Sequence, residues 1–339
     1  MNIDFVILWV DGNDPAWQEE KSLYEHADRT ESGRINRYRD WGLLPYWFRA
    51  VEKYTPWVNR IHFVTWGHLP SFLNTDNPRL HIVKHREFIP AQYLPTFNSH
   101  AIEMNIHRIP GLTEHFVYFN DDMFLLRPMQ QEAFFRESLP CTCGSEKPME
   151  FRGNPAAWIH AAVNDLALVN AHFPKRKAVR QYGSKYRSSV YRRKDNIRTW
   201  ILEQIYPDYF TGFRNLHAPA AYRKRTFREL WEAEADRLDA SCSNRFRGCD
   251  QINQWAALWW QIASGQFCPA VIDNQVGIVT EDSVSGLCHT IEGQKHDFIC
   301  LNDPEDEVNF ELLSQKLRDA FEMILPDRST FEKDSPAAE

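Results

Sequence analysis

The sequence contains no run of about 18 apolar residues, so it encodes no transmembrane helix. It opens Met1-Asn2-Ile3-Asp4, without the basic and apolar regions of a signal peptide. A cytoplasmic protein is expected, with any membrane association at the inner face and peripheral. Cysteine is sparse: seven residues, an odd number, scattered along 339. That pattern suits reduced thiols better than a disulfide framework. Cys141-x-Cys143 is too short and isolated to argue for zinc. Net positive charge is absent as well. At −7 the chain has no global attraction for nucleic acid. No internal repeat and no low-complexity linker interrupts it.

Aromatics, by contrast, are abundant, at 14% with 12 Trp. Trp is costly to leave exposed, so a substantial core with aromatic-lined clefts is expected. Asp4 to Val10 is a short β-branched and aromatic run that stops at Asp11-Gly12-Asn13-Asp14-Pro15. This predicts a strand buried on both faces, ended by a turn. Pro45 to Tyr54 has helical spacing, Arg60 to Trp66 and Leu80 to Val83 read as strands, and Ser99 to Ile109 as a helix. His115 to Phe119 is a fourth strand, followed directly by Asn120-Asp121-Asp122. Alternation of this kind predicts an α/β fold with a mostly parallel sheet. Beyond about residue 135, helices are expected over 155–172, 194–206, Thr226 to Leu238, Asp250 to Ser264 and Phe310 to Leu325.

In open parallel sheets, ligands bind outside the carboxyl ends of the strands. The first and fourth strands both end there in acidic turns. Adjacent carboxylates such as Asp121 and Asp122 repel, which is costly at the lip of a buried strand unless a cation sits there. Mg2+, or Mn2+, with carboxylate oxygens and substrate phosphates fits that demand. The bland alternative is a turn that caps the next element. Gly12 permits close backbone approach to a ligand, or simply a tight loop. His217, beside Ala218-Pro219, is an acid/base candidate among 13 His. Arg245-Phe246-Arg247 is either a phosphate clamp or a surface pair.

Phe173 to Arg198 is locally basic, with ten Lys or Arg and three interleaved Tyr. Either a polyanionic chain lies along it, a phosphate-linked glycan for instance, or it is a solvated face.

With these residues assembled, the chain resembles the Stealth family. Four blocks carry the resemblance, in family order. The first is Ile3 to Pro15. The second runs from Arg37-Tyr38-Arg39-Asp40 through Leu94 to Glu103 and His107-Arg108-Ile109 to Asn120-Asp121-Asp122-Met123-Phe124. The third spans His217-Ala218-Pro219 through Arg245-Phe246-Arg247 to Asp250. The fourth is Cys300-Leu301-Asn302-Asp303. The resemblance implies a sheet domain of the nucleotide-sugar transferase (GT-A-like) type with helical additions.

It also implies transfer of a hexose-1-phosphate, with GlcNAc-1-phosphate as first choice, from a UDP-sugar to a glycan hydroxyl, releasing UMP. By the same implication Asp122, with Asp121, Asn302 and Asp303, serves the metal or phosphate site. His217 is base or phosphate ligand, and Arg247 or Arg245 neutralises the transferred phosphate. Trp9, Asp11, Gly12, Asp14 and Arg37 line the nucleotide end, and Ser99 and Glu103 shape the site from a helix. The expected organisation is an α/β part over 1–135, a basic helical insertion on the acceptor side over 136–240, a part completing the site over 241–325, and a flexible tail over 326–339. An ordinary metal-dependent glycosyltransferase releasing UDP, or a non-catalytic module for anionic glycans, would share some of these features.

Overall fold

The computed structural model describes residues 1–25, 38–150, 157–214, 217–304 and 307–333. In chain order the first half folds as β1 (Ile3–Leu8), α1 (Pro15–Glu25), α2 (Leu44–Tyr54), β2 (Ile61–Thr65), β3 (Leu80–Lys84), α3 (His85–Phe88), α4 (Ser99–Asn105), β4 (His115–Phe119), β5 (Met123–Leu125), β6 (Phe135–Arg136) and β7 (Leu139–Thr142). The second half adds α5 (Ala157–His172), α6 (Lys175–Tyr186), α7 (Arg193–Ile205), β8 (Ala220–Arg223), α8 (Lys224–Ala233), α9 (Ala235–Cys242), α10 (Gln254–Ala263), β9 (Cys268–Pro269), β10 (Asn274–Ile278), α11 (Val284–Glu292), β11 (Phe298–Asn302) and α12 (Phe310–Ile324).

The central sheet has the order β3-β2-β1-β4-β8. Its first four strands are parallel, and β8 closes the edge antiparallel to β4. Alternation along each strand feeds two cores. Phe5, Ile7, Phe63, Val117 and Phe119 face α2, α11 and α12. Val6, Val64, Phe116 and Tyr118 face α5, α6 and α8 to α10. Both faces are therefore covered, as a parallel sheet requires, and the α/β class with a mostly parallel sheet is the observed one.

A second sheet, β10-β11-β5, positions the site. Cys300 pairs with Met123 in its antiparallel register, and the Leu301 amide donates to the Asp122 carbonyl at 2.9 Å. The end of β11 is thereby fixed against the turn that follows β4. β8 belongs to the central sheet and β5 pairs with β11, so strands from all three expected parts of the chain meet in the two sheets.

The helix expected over Thr226 to Leu238 is broken at Glu234, which leaves helical dihedrals (φ −134°, ψ 35°). Its carboxylate meets His172 Nε2 at 2.6 Å. Residues 326–333 are docked instead of free. Phe331 is buried, and Glu332 accepts from Arg49 Nε at 2.9 Å. Among the described residues no helix is long and apolar enough to cross a membrane.

Candidate active site

Asp122 lies in the turn between β4 and β5, half-buried. Its Oδ2 accepts from the Cys300 thiol at 3.3 Å and stands 3.8 Å from His217 Nε2. Asp122 Oδ1 is shielded from solvent without a hydrogen-bond partner among the described residues. The ligand atoms of Asp122, His217 and Cys300 fall within 4.8 Å of one another, the spacing of a possible metal site. Asn302, at the end of β11, brings its Oδ1 to 3.3 Å from the same thiol. Asp303 follows, and its Oδ1 is likewise buried and unpartnered among the described residues.

The electrostatics fit a cation site better than an isolated acidic turn. Burial pushes the Asp303 carboxyl up to about 6, with Asp122 adding to the effect against Arg39 and Trp41. Asp121 has a face to water, but the protein packed around it and repulsion from Asp122 and Asp40 push its carboxyl up to about 8. Carboxylates crowded this way are stabilised by a hard divalent ion with oxygen ligands. Burial, with Asp122 beside it, keeps the Cys300 thiol far above its ordinary range. A protonated thiol is a donor to Asp122 and a poor metal ligand.

His217 is held at φ 43°, in the left-handed region, and Asn274 Nδ2 grips its carbonyl at 2.9 Å. Burial lowers its affinity for a proton, but bonds to Asp122 and Asn302 outweigh burial and raise it. A non-glycine residue at positive φ is strained, and such strain clusters where an orientation matters.

A second group converges on Asn120, two residues before Asp122. Arg247 Nη2 donates to Ser99 Oγ at 2.6 Å. Glu103, buried on the same helix α4, is pushed up by burial and held down in part by Arg247. The Tyr118 hydroxyl lies 3.4 Å from Glu103 Oε1 and donates to Asn120 Oδ1 at 2.6 Å. Arg247, Ser99 and Glu103 are thus joined through Tyr118 to the acidic turn. Arg245 points elsewhere: its guanidinium lies 4.7 Å over the Tyr24 ring of α1.

At the end of β1, much of the loop chemistry is local. Asp14 Oδ1 caps α1 by accepting from the Trp17 amide at 2.8 Å, and Asp11 Oδ1 accepts from the Asn13 amide at 2.9 Å. A Cβ on Gly12 would stand 2.3 Å from the Tyr38 carbonyl oxygen, so the close approach that glycine permits here is to Tyr38. Trp9 is buried against Phe63 and His68, and its Nε1 has no partner among the described residues. Arg37 lies outside the described residues.

Three residues that received no site role of their own from sequence join the site; two of them, Arg39 and Cys300, already stood in the blocks that carry the resemblance. His68 accepts from the Asp11 amide at 2.8 Å and faces Asp14. Arg39 reaches the field of Asp303, and Cys300 lies between Asp122 and Asn302. His68 lies three residues beyond the end of β2, so the strand-end rule that found Asp11 would have found it.

Three conserved-region descriptions match the chain. Stealth protein CR1, conserved region 1, matches residues 1–29; CR2, conserved region 2, matches 37–141; and CR4, conserved region 4, matches 289–339. Similarity to curated proteins runs end to end. The capsular polysaccharide phosphotransferase WcwK of Streptococcus pneumoniae is 38% identical over 98% of this chain and 99% of its own. The receptor polysaccharide phosphotransferase WefC of Streptococcus gordonii is 35% identical over 97% and 98%. The chain belongs to the Stealth family.

The exopolysaccharide phosphotransferase cps2G of Lactiplantibacillus plantarum, at 34% identity over 98% of this chain and 96% of its own, is a further relative. Among solved structures, an active-site mutant of LgtC covers 98% of both chains at 11% identity, with a TM-score of 0.38, a likeness too loose to fix the fold family. The first Stealth region carries Trp9, Asp11, Gly12 and Asp14; the second carries Ser99, Glu103, Asp121 and Asp122; the fourth carries Asn302 and Asp303. His217, Arg245 and Arg247 lie between the second and fourth, outside these three matches.

Proposed function

We propose that this Stealth protein is an enzyme of capsule or cell-surface polysaccharide synthesis that transfers hexose-1-phosphate from a UDP-sugar to a glycan hydroxyl. The end-to-end similarity to polysaccharide phosphotransferases of Streptococcus and Lactiplantibacillus carries the reading. GlcNAc is the first choice of sugar, by family resemblance alone. The acceptor oxygen bonds to the β-phosphorus of the donor. The bond from that phosphorus to the bridging oxygen breaks, and UMP leaves with the oxygen.

Transfer at phosphorus needs positioning and charge neutralisation more than covalent help. The residues present supply both. His217 Nε2 takes the proton of the acceptor hydroxyl, and its fixed backbone and contact with Asp122 keep that nitrogen aimed. Arg247, anchored on Ser99 beside Glu103, neutralises the transferred phosphate. Asp122, with Asn302, Asp303 and the nearby Asp121, would hold Mg2+, or Mn2+ in its place. Such an ion, when bound, offsets the charge of the diphosphate. Trp9, Asp11, Gly12, Asp14 and Arg37 are assigned to the nucleotide end, on the loop after β1 and beyond.

The test is the identity of the released nucleotide. With UDP-GlcNAc, Mg2+ and an oligosaccharide acceptor, the expected products are UMP and a phosphodiester-linked glycan. UDP instead would identify a glycosyltransferase that breaks the sugar C1–O bond. Full turnover in excess EDTA would remove the metal from the proposal.

A further inference from the structure

The basic stretch Phe173 to Arg198 does not form a continuous cationic groove. Lys175 is buried against Glu146 at 2.7 Å, Arg176 pairs with Asp208, Arg187 with Glu203 and Arg198 with Asp195. Lys185 donates to the carbonyls of Gly265 and Phe267. What remains free of ion pairs among the described residues includes Arg192, Arg193 and Lys194, all exposed at the start of α7.

Helix α7 is unusual in what it shows to water. Its inner face buries Asp195, Thr199, Leu202 and Glu203. Its outer face carries Ile197, Trp200, Ile201 and Ile205, between 40% and 59% exposed, at i, i+3, i+4 and i+8. Tyr206 and Tyr209 extend the patch beyond the helix. Surface helices usually turn polar residues outward, and contiguous exposed apolar patches mark interaction sites. Next to the stripe, Arg187, Tyr191, Arg193, Ile197 and Trp200 line a shallow recess of about 450 Å³.

We propose that α7 and the residues flanking it dock this protein on an anionic lipid bilayer. An apolar helix face rimmed by Lys and Arg and bearing Trp is the composition of helices that lie in the membrane interface. Trp and Tyr favour that depth, because their rings are apolar and their N–H or O–H stays wet. The cations at one end of the stripe complement lipid phosphates and the negative surface they create. A polyanionic glycan would satisfy the cations and leave three isoleucines in water. On the inner face of α7, Asp195 pairs with Arg214 at 3.2 Å, which fastens the helix to the body of the protein.

The inference stands apart from the phosphotransferase reading, since vesicle binding and nucleotide release are separate measurements. The experiment is co-sedimentation of the full chain with phosphatidylcholine vesicles, with or without about 30% phosphatidylglycerol. Binding to the anionic vesicles is expected, weakening as salt rises. Trp200→Ser combined with Ile201→Ser should weaken binding at least about tenfold, since two exposed apolar side chains no longer enter the interface. Arg193→Glu combined with Lys194→Glu should erase the preference for anionic over neutral vesicles. Both variants should keep the melting temperature and nucleotide release on a soluble acceptor. The proposal is overturned if the unaltered chain ignores anionic vesicles, or if the Trp200/Ile201 variant binds them equally well. It is also overturned if the chain is a dimer that this variant dissolves, or if only a polyanionic glycan is retained.

Discussion

Asp122→Asn is the substitution that tests the proposed site most directly. The amide occupies the volume of the carboxylate, so the packing between β4 and β5 is kept. What changes is the charge and one acceptor. The Cys300 thiol 3.3 Å from Oδ2 can still donate if the amide oxygen takes that position. The unpartnered Oδ1 then becomes an NH2 group, which repels a cation where the carboxylate would bind it. The contact with His217 at 3.8 Å loses its negative partner as well. Removing one preorganised electrostatic group at a reacting centre costs about 100- to 1,000-fold in turnover, or roughly 3–4 kcal/mol of barrier. The melting temperature should move by no more than about 4 °C, the shift expected for a change of about 1 kcal/mol or less in a chain of this size. UMP release at saturating UDP-GlcNAc, with Mg2+ titrated, measures the first quantity; thermal denaturation measures the second. An unchanged kcat would falsify the metal role assigned to Asp122. A large fall in melting temperature would show that the carboxylate holds the fold and not the reaction.

The two arginines separate by their contacts. Arg247→Ala should lose most turnover because it breaks the link to Ser99, whereas Arg245→Ala should change mainly stability, by about 1 kcal/mol, since its guanidinium packs on Tyr24. Gly12→Ala should destabilise by about 1–3 kcal/mol, because the new Cβ meets the Tyr38 backbone and cannot be relieved by a side-chain rotation; denaturant midpoints measure this. Asp4 gives the pH prediction. Burial raises its carboxyl, but bonds from His62, Asn59 and the Thr113 amide outweigh burial and hold it below its ordinary value. That stabilisation is fully present above the unfolded pKa of about 4 and is lost as pH falls through the lower folded one. Asp4→Asn should therefore cost about 1–3 kcal/mol at neutral pH, and the gap in stability should close as the solution is acidified below pH ~4. A gap that stays constant to low pH would show that shape, not charge, is what Asp4 supplies.

The central sheet is legible in the sequence because its strands are short, β-branched and buried on both faces, so each stands out as an apolar run ended by a turn. The strands β5 and β10 are not, for a physical reason. β10 has Val276 and Ile278 in the open, and β5 is three residues long inside a continuous apolar segment, so neither offers a period to read. That gap decides how much of the site was visible. Asp122 was found through charge repulsion, which needs only neighbours in sequence. His217 and Arg247 are only candidates among many in the sequence, and their roles come from the resemblance, because little that is local distinguishes a His before Ala-Pro or an Arg-Phe-Arg. Cys300 illustrates the limit. In sequence it is one apolar residue before Leu301-Asn302-Asp303. It becomes part of the site only because β11 pairs antiparallel with β5, which sets its thiol between the Asp122 carboxylate and the Asn302 amide oxygen. A single S–H can serve one of those two acceptors at a time, so the thiol links the acidic turn to the fourth conserved region without satisfying both. The oxygen left over in either arrangement is available to a cation. The pairing of β11 with β5, a strand that periodicity could not reveal, therefore completes the donor set that the Asp-Asp pair began.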